Sequence, residues 1–346
     1  MTYNPPLTPR PPHEVAGAGR PRVMTTAQLR SHGVSAAEAN GQCRSGGPWQ
    51  QLLPGVVLLH PGPPTSEERL HAVLMYAARE RATAVPAQPG AEGPHVAAYP
   101  EAMITGLAAL TLHGFSCTPP LPSLDVIDVL VPRLRRLRST GCARIVRTPV
   151  LPAPEQVTGL PVAPVARALA DAVAGLSDAV VVRRLMTEAV RGAHCDPASV
   201  VRELTEARLL NRPHVLDAVD SLLAEGRVIA EDRLYRMVRA FGLPDPVWNV
   251  DLRLPGGPYL GGLDAYWPEQ AVALELDTRA PRQDDDALWS EYARKREHLE
   301  RLGITVVHIT PRKLRDCPEQ QATVIRTALM ASADRDPAAH VVVLPR

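Results

Sequence analysis

The chain has 346 residues, a formal net charge of +1 and five cysteines, and 45% of its residues are hydrophobic. The length predicts two or three domains with ample core, and the near-neutral balance excludes a chain that is basic throughout, so any nucleic-acid contact has to be local. Cys43, Cys117, Cys142, Cys195 and Cys317 form no C-x-x-C pair, which argues against a zinc ribbon or a disulfide framework, and no uncharged apolar run reaches the roughly 18 residues of a membrane span. A soluble cytoplasmic protein is the expectation, with no membrane partner.

Residues 1–22 are Pro-rich and aperiodic and predict a disordered tail. From Val23 the pattern changes: Thr25 or Thr26 can cap a short helix through His32, Gly33 turns the chain, and Ser35 caps a second helix through Arg44. Trp49 to His60 then reads as a hairpin bent at Pro54-Gly55. Two short helices around a glycine turn followed by a hairpin predict a winged helix-turn-helix DNA-binding domain over 23–78. Its second helix offers Asn40, Gln42 and Arg44, side chains able to read base edges or phosphates.

Residues 79–100 are rich in Ala, Pro, Gly and Glu and predict an exposed loop; 101–225 reads as an α/β region and helical connector. Within it, Asp125 to Val131 predicts a strand, and Arg133, Arg135, Arg136, Arg138, Arg144 and Arg147 form the one dense basic run. Phosphate contact and pairing with neighbouring acids are both open for that run. Helices are expected at 165–175, 179–191, 197–206 and 214–224.

Residues 226–346 read as helix, three strands, helix, strand, an αβββαβ order. Glu231 opens the first helix. The stretch YLGGLDAYWPEQAVALELDTR, Tyr259 to Arg279, predicts a hairpin turning at Pro268-Glu269, with Ala273, Glu275 and Asp277 on one face and Val272, Leu274 and Leu276 on the other. A turn centred there sets Asp264 opposite Ala273 and diagonal to Glu275, close enough for two carboxylates to share a hard cation. The following helix carries Leu288, Tyr292, Lys295, Leu299 and Leu302 on one seam; Lys295 and Lys313 are the only lysines in the chain. Clustered carboxylates with an inward lysine suit metal-dependent phosphodiester hydrolysis, whereas acids at a hairpin can also be merely solvated. A short strand is expected near 340–344 at the edge of this sheet. No phosphate-cradling Walker loop, G-x-G-x-x-G, H-E-x-x-H or G-x-S-x-G occurs, so no organic cofactor is expected.

On GLPDP (242–246), GGLDAYWPE (261–269), ALELDTR (273–279) and RLGITVVHIT (301–310), the C-terminal quarter resembles the restriction-endonuclease-like PD-(D/E)XK superfamily, in particular domains similar to very-short-patch-repair endonucleases. The resemblance implies Mg²⁺ or Mn²⁺ held by Glu231, Asp264 and Glu275, and a catalytic set of Asp264, Glu275, Asp277 and Lys295. Asp277 stands where that superfamily has its lysine, and Thr278 where many relatives have glycine. MTTAQLRSHGVS (24–35), GGPWQQLLPGVVLL (46–59), AMITGLAALTLHGF (102–115), DVIDVLVP (125–132) and GLPVAPVARALADAV (159–173) resemble AbiEi-type antitoxins, winged-helix repressors of toxin-antitoxin operons. That implies DNA as partner, with a cognate toxin or operator, and DNA-binding residues Asn40, Gln42, Arg44, Arg133, Arg135, Arg136 and Arg138. The combined expectation is a multidomain α/β protein that is either a metal-dependent DNA endonuclease or an autorepressor on a catalytically silent nuclease fold.

Overall fold

The computed structural model describes residues 22–78, 99–278, 286–333 and 341–346. The expected tail at 1–22 and loop at 79–100 fall almost wholly outside them, as does Arg279. The described residues form a mixed α/β protein with eleven α-helices and three sheets, divided into compact units over Met1–Gly175 and Leu176–Arg346.

The first unit begins with β1 (Val23–Thr25), α1 (Thr26–Ser31), α2 (Ala36–Gln42), β2 (Gln50–Leu53) and β3 (Val56–Leu58). Thr25 caps α1 through a reciprocal box with Gln28, and Ser35 caps α2, so both caps fall where side-chain oxygens can satisfy first-turn N–H groups. Gly33, at φ 83°, ends α1 while Val34 N–H closes back on Leu29 O at 2.9 Å. The second helix stops at Gln42, with Cys43 as its cap, so Arg44 lies just past it. β1, β3 and β2 pair antiparallel in that order; β1 is too short to leave a sequence pattern. Met24, Leu29, Val34, Ala39, Trp49, Val57 and Leu59 form the core between helices and sheet.

After α3 (Ser66–Ala77) come β4 (Met103–Thr105), α4 (Gly106–Leu112), β5 (Ile127–Pro132), β6 (Ala143–Thr148), β7 (Glu155–Val157), β8 (Leu160–Val162) and α5 (Val165–Ala174). Their sheet runs β6-β5-β4-β8-β7 and mixes parallel with antiparallel pairs. Across it Thr105, Asp128 and Arg144 stand in register. Arg144 donates to both Asp128 oxygens, Thr105 Oγ1 donates to Asp171 at 2.6 Å, and Arg167 holds Asp171 at 2.8 Å. Buried carboxylates are tolerable here because each is paired and hydrogen-bonded.

The second unit comprises α6 (Ala179–Arg191), α7 (Pro197–Glu206), α8 (Pro213–Ala240), β9 (Val247–Arg253), β10 (Tyr259–Trp267), β11 (Val272–Leu276), α9 (Asp286–Arg301), β12 (Thr305–Ile309), α10 (Pro311–Asp316), α11 (Pro318–Ala333) and β13 (Val342–Pro345). The helix expected at 214–224 and the one expected to open at Glu231 are one helix of 28 residues. Gly226 does not interrupt it, because the missing Cβ is what lets Pro197 pack against the helix there; a Cβ would lie 2.5 Å from Pro197 Cγ.

The sheet order is β12-β11-β10-β9-β13. β9, β10 and β11 form an antiparallel meander, and β12 returns parallel to β11 after α9. The expected C-terminal edge strand is present as β13, paired to β9. Val272, Leu274 and Leu276 bury into a core with Leu234, Met237 and Ile325, while Ala273 faces a second core with Tyr266, Leu299 and Ile304. The alternation read from the sequence is therefore real, but both faces of β11 are covered.

Candidate functional site

Asp264 on β10 and Glu275 on β11 are 7% and 8% exposed, unusual for acids. The turn joining their strands occupies Pro268 to Ala271, with Ala271 at φ 49°, and Trp267 pins it by donating to Pro244 O at 2.8 Å. The hairpin register differs from expectation: Tyr266, not Asp264, lies opposite Ala273. The longer turn shifts the pairing by two residues, which keeps every side chain on its face because the strand period is two. The ladder's last pair is Ala265 with Leu274, and the same register continued sets Asp264 against Glu275. There the carboxylate takes the next donor itself: Leu276 N–H donates to Asp264 Oδ2 at 2.6 Å.

Lys295, from α9, donates to Glu275 Oε1 and to Gly262 O, the latter at 2.7 Å. It reaches them over β10 where Gly261 leaves room. Gly261 has φ 140°, and a Cβ there would run into Lys295, 3.0 Å from both Cδ and Nζ. Gly262 clears space for Arg346 in the same way, with its absent Cβ 2.8 Å from the Arg346 guanidinium. The GG pair of the GGLDAYWPE stretch thus passes two cationic side chains across one strand.

Glu231 joins through an arginine that sequence reasoning passed over. Arg227 donates through Nε to Glu231 Oε1 at 2.8 Å and through its terminal nitrogen to Asp264 Oδ1 at 2.8 Å. Its signal was the four-residue spacing to Glu231, hidden by dividing α8 near residue 225. His308, directly across from Glu275 on β12, was also missed; its Nδ1 lies 3.5 Å from Glu275 Oε2. Asp277 lies just past β11, where its N–H donates to Ile309 O at 2.9 Å.

Burial pushes the Asp264 carboxyl above its ordinary range, with the charges of Glu231 and Glu275 adding to the rise and the Leu276 N–H and Arg227 opposing it. Among the described residues no three His, Cys, Asp or Glu side chains converge as a ready metal cage. The all-oxygen donor set of Asp264 and Glu275 still suits a hard divalent cation such as Mg²⁺, which takes one or two carboxylates and fills its shell with water.

In the first unit, Asn40 and Arg44 are exposed and Gln42 half-buried. The arginine run divides. Arg144 is committed to Asp128, Arg135 pairs with Glu101 at 3.4 Å, and Arg147 donates to the carbonyls of Leu137 and Arg135. Arg133, Arg136 and Arg138 remain exposed. Internal pairing therefore claims half of a run for which the sequence left phosphate contact and internal pairing both open.

No family model matches this chain, and no curated protein matches it. Among the described residues no helix is long and apolar enough to cross a membrane.

Proposed function

We propose that the protein is a metal-dependent DNA endonuclease whose C-terminal unit carries a restriction-endonuclease-like site and whose N-terminal segment is a winged-helix DNA-binding module of antitoxin type. The observation that carries this reading is the meeting of Lys295 with Glu275 beside Asp264, three residues brought from α9, β11 and β10. The hairpin brings Asp264 and Glu275 together, but nothing in the chain requires Lys295 to meet them, and a solvated acid would need no ammonium partner.

In this reading Asp264 and Glu275, with Glu231 nearby, would hold Mg²⁺ or Mn²⁺. A divalent cation held there would supply an acidified water and screening of the phosphodiester charge. Leu276 N–H fixes the orientation of the Asp264 carboxylate. Lys295 has three N–H donors; Gly262 O and Glu275 Oε1 take two, leaving one for an equatorial phosphate oxygen as charge builds in the transition state. Asn40, Gln42 and Arg44 supply contacts to bases and phosphates, and Arg133, Arg136 and Arg138 supply phosphate contacts.

Incubation of the full chain with supercoiled plasmid and with a single-stranded oligonucleotide, in Mn²⁺ or in EDTA, tests the proposal. Cleavage in Mn²⁺ that EDTA abolishes supports it. Protein that retards DNA in a gel and cuts neither substrate contradicts it and leaves a repressor.

A further inference from the structure

Arg227 has a geometry that a merely surface-stabilising arginine does not need. It projects from α8 and bridges two acids on different elements: Nε to Glu231 four residues along its own helix, and the terminal nitrogen to Asp264 on β10. Asp264 is almost wholly buried, and its other oxygen is already engaged by Leu276 N–H. Arg227 itself stays 42% exposed at the side chain, so its release exposes little new apolar surface. On the other side, Lys295 neutralises Glu275. The three acids therefore hold two built-in cations, one from each flanking helix.

We propose that Arg227 is a positioning residue that occupies the carboxylate site in its cation-free form and must yield before a divalent cation is held. This rests on the endonuclease reading above and adds a regulatory element to it. A cation placed at Asp264 Oδ1 would compete for the oxygen to which the guanidinium donates at 2.8 Å, and two like charges sharing one carboxylate in a mostly buried site repel strongly. Arginine suits the role because its planar fork bridges two carboxylates at once and its charge cannot be shed by deprotonation; lysine would hold one acid at a time. The latch sets a threshold of cation concentration below which the acids stay paired with the protein's own two cations.

The test measures Mn²⁺ binding to the full chain by water-proton relaxation and by electron paramagnetic resonance of free Mn²⁺, with no DNA present. Wild type is compared with Arg227→Ala, Arg227→Gln, Arg227→Lys and Glu275→Ala; Gln keeps a hydrogen-bond donor and covers the case in which Ala disturbs folding. The expected result is tighter Mn²⁺ binding in Arg227→Ala and Arg227→Gln, by about tenfold or more, the range in which groups beside metal ligands act. Arg227→Lys, which keeps the charge but holds one acid at a time, should fall between wild type and Arg227→Ala. Equal or weaker binding in the folded Ala and Gln variants, with wild type binding and Glu275→Ala not, overturns the latch and leaves the metal site standing. Absence of Mn²⁺ binding in every variant overturns the latch together with the endonuclease reading beneath it.

Discussion

Substituting Gly261 by alanine probes the device that lets Lys295 reach Glu275. An alanine at φ 140° strains the backbone by about 1–3 kcal/mol whatever surrounds it. The new Cβ would also overlap the Lys295 chain, lying 3.0 Å from its Nζ, so the lysine must leave Gly262 O and Glu275. Hydrogen bonds to charged groups contribute roughly 1.5–3 kcal/mol, and partial exposure of Lys295 discounts that toward the lower end. Gly261→Ala should therefore cost about 2–5 kcal/mol. The informative quantity is its coupling to Lys295, measured by urea denaturation of wild type, Gly261→Ala, Lys295→Ala and the double variant under far-UV circular dichroism. In the Lys295→Ala background the clash and the lost contacts are already gone, and only backbone strain remains. A coupling of about 1–2 kcal/mol is expected; additivity within about 0.5 kcal/mol would refute the claim that the glycine exists to pass the lysine.

Two further outcomes follow from the same geometry. Asp264 has a folded-state carboxyl raised above its unfolded value, so between those two values the native state keeps a proton that the unfolded chain releases. Stability contributed by this group is full below the unfolded value and lost as pH rises through the folded one; Asp264→Asn should remove that falling limb from a urea-midpoint series without divalent cation, and an unchanged slope would contradict the assignment. Replacing Arg133, Arg136 and Arg138 by alanine should flatten the salt dependence of DNA affinity by a slope of roughly 3 if all three touch phosphates, read by fluorescence anisotropy from 50 to 200 mM salt, on the order of 0.9 per contact. A slope that does not change would return those arginines to the solvated surface.

Much of this architecture was legible because its signals are local. Ser35 and Thr25 fall at helix starts where their oxygens cap, and Gly33 ends a helix where positive φ is required. The two faces of β11 follow from alternation alone, and β13 from a short β-branched run. The losses are equally physical. Turn length sets register, and nothing in Pro268-Glu269-Gln270-Ala271 announces that alanine will take φ 49° and lengthen the turn. Gly226 reads as a breaker until its Pro197 neighbour is known. Arg144 belongs to a basic run in sequence but is the counter-ion of a buried aspartate in space, because Asp128 and Arg144 are in register across β5 and β6. Arg227 escaped notice for the same reason: a long-range partner, Asp264, gives it its role.

The most direct test of the central claim is Mn²⁺-dependent plasmid nicking by wild type beside Glu275→Ala and Lys295→Ala. Nicking by wild type that is lost in Glu275→Ala, and cut by about tenfold to a thousandfold in Lys295→Ala, is the predicted result. Nicking that persists undiminished in Glu275→Ala would place any hydrolysis elsewhere and contradict the site described here.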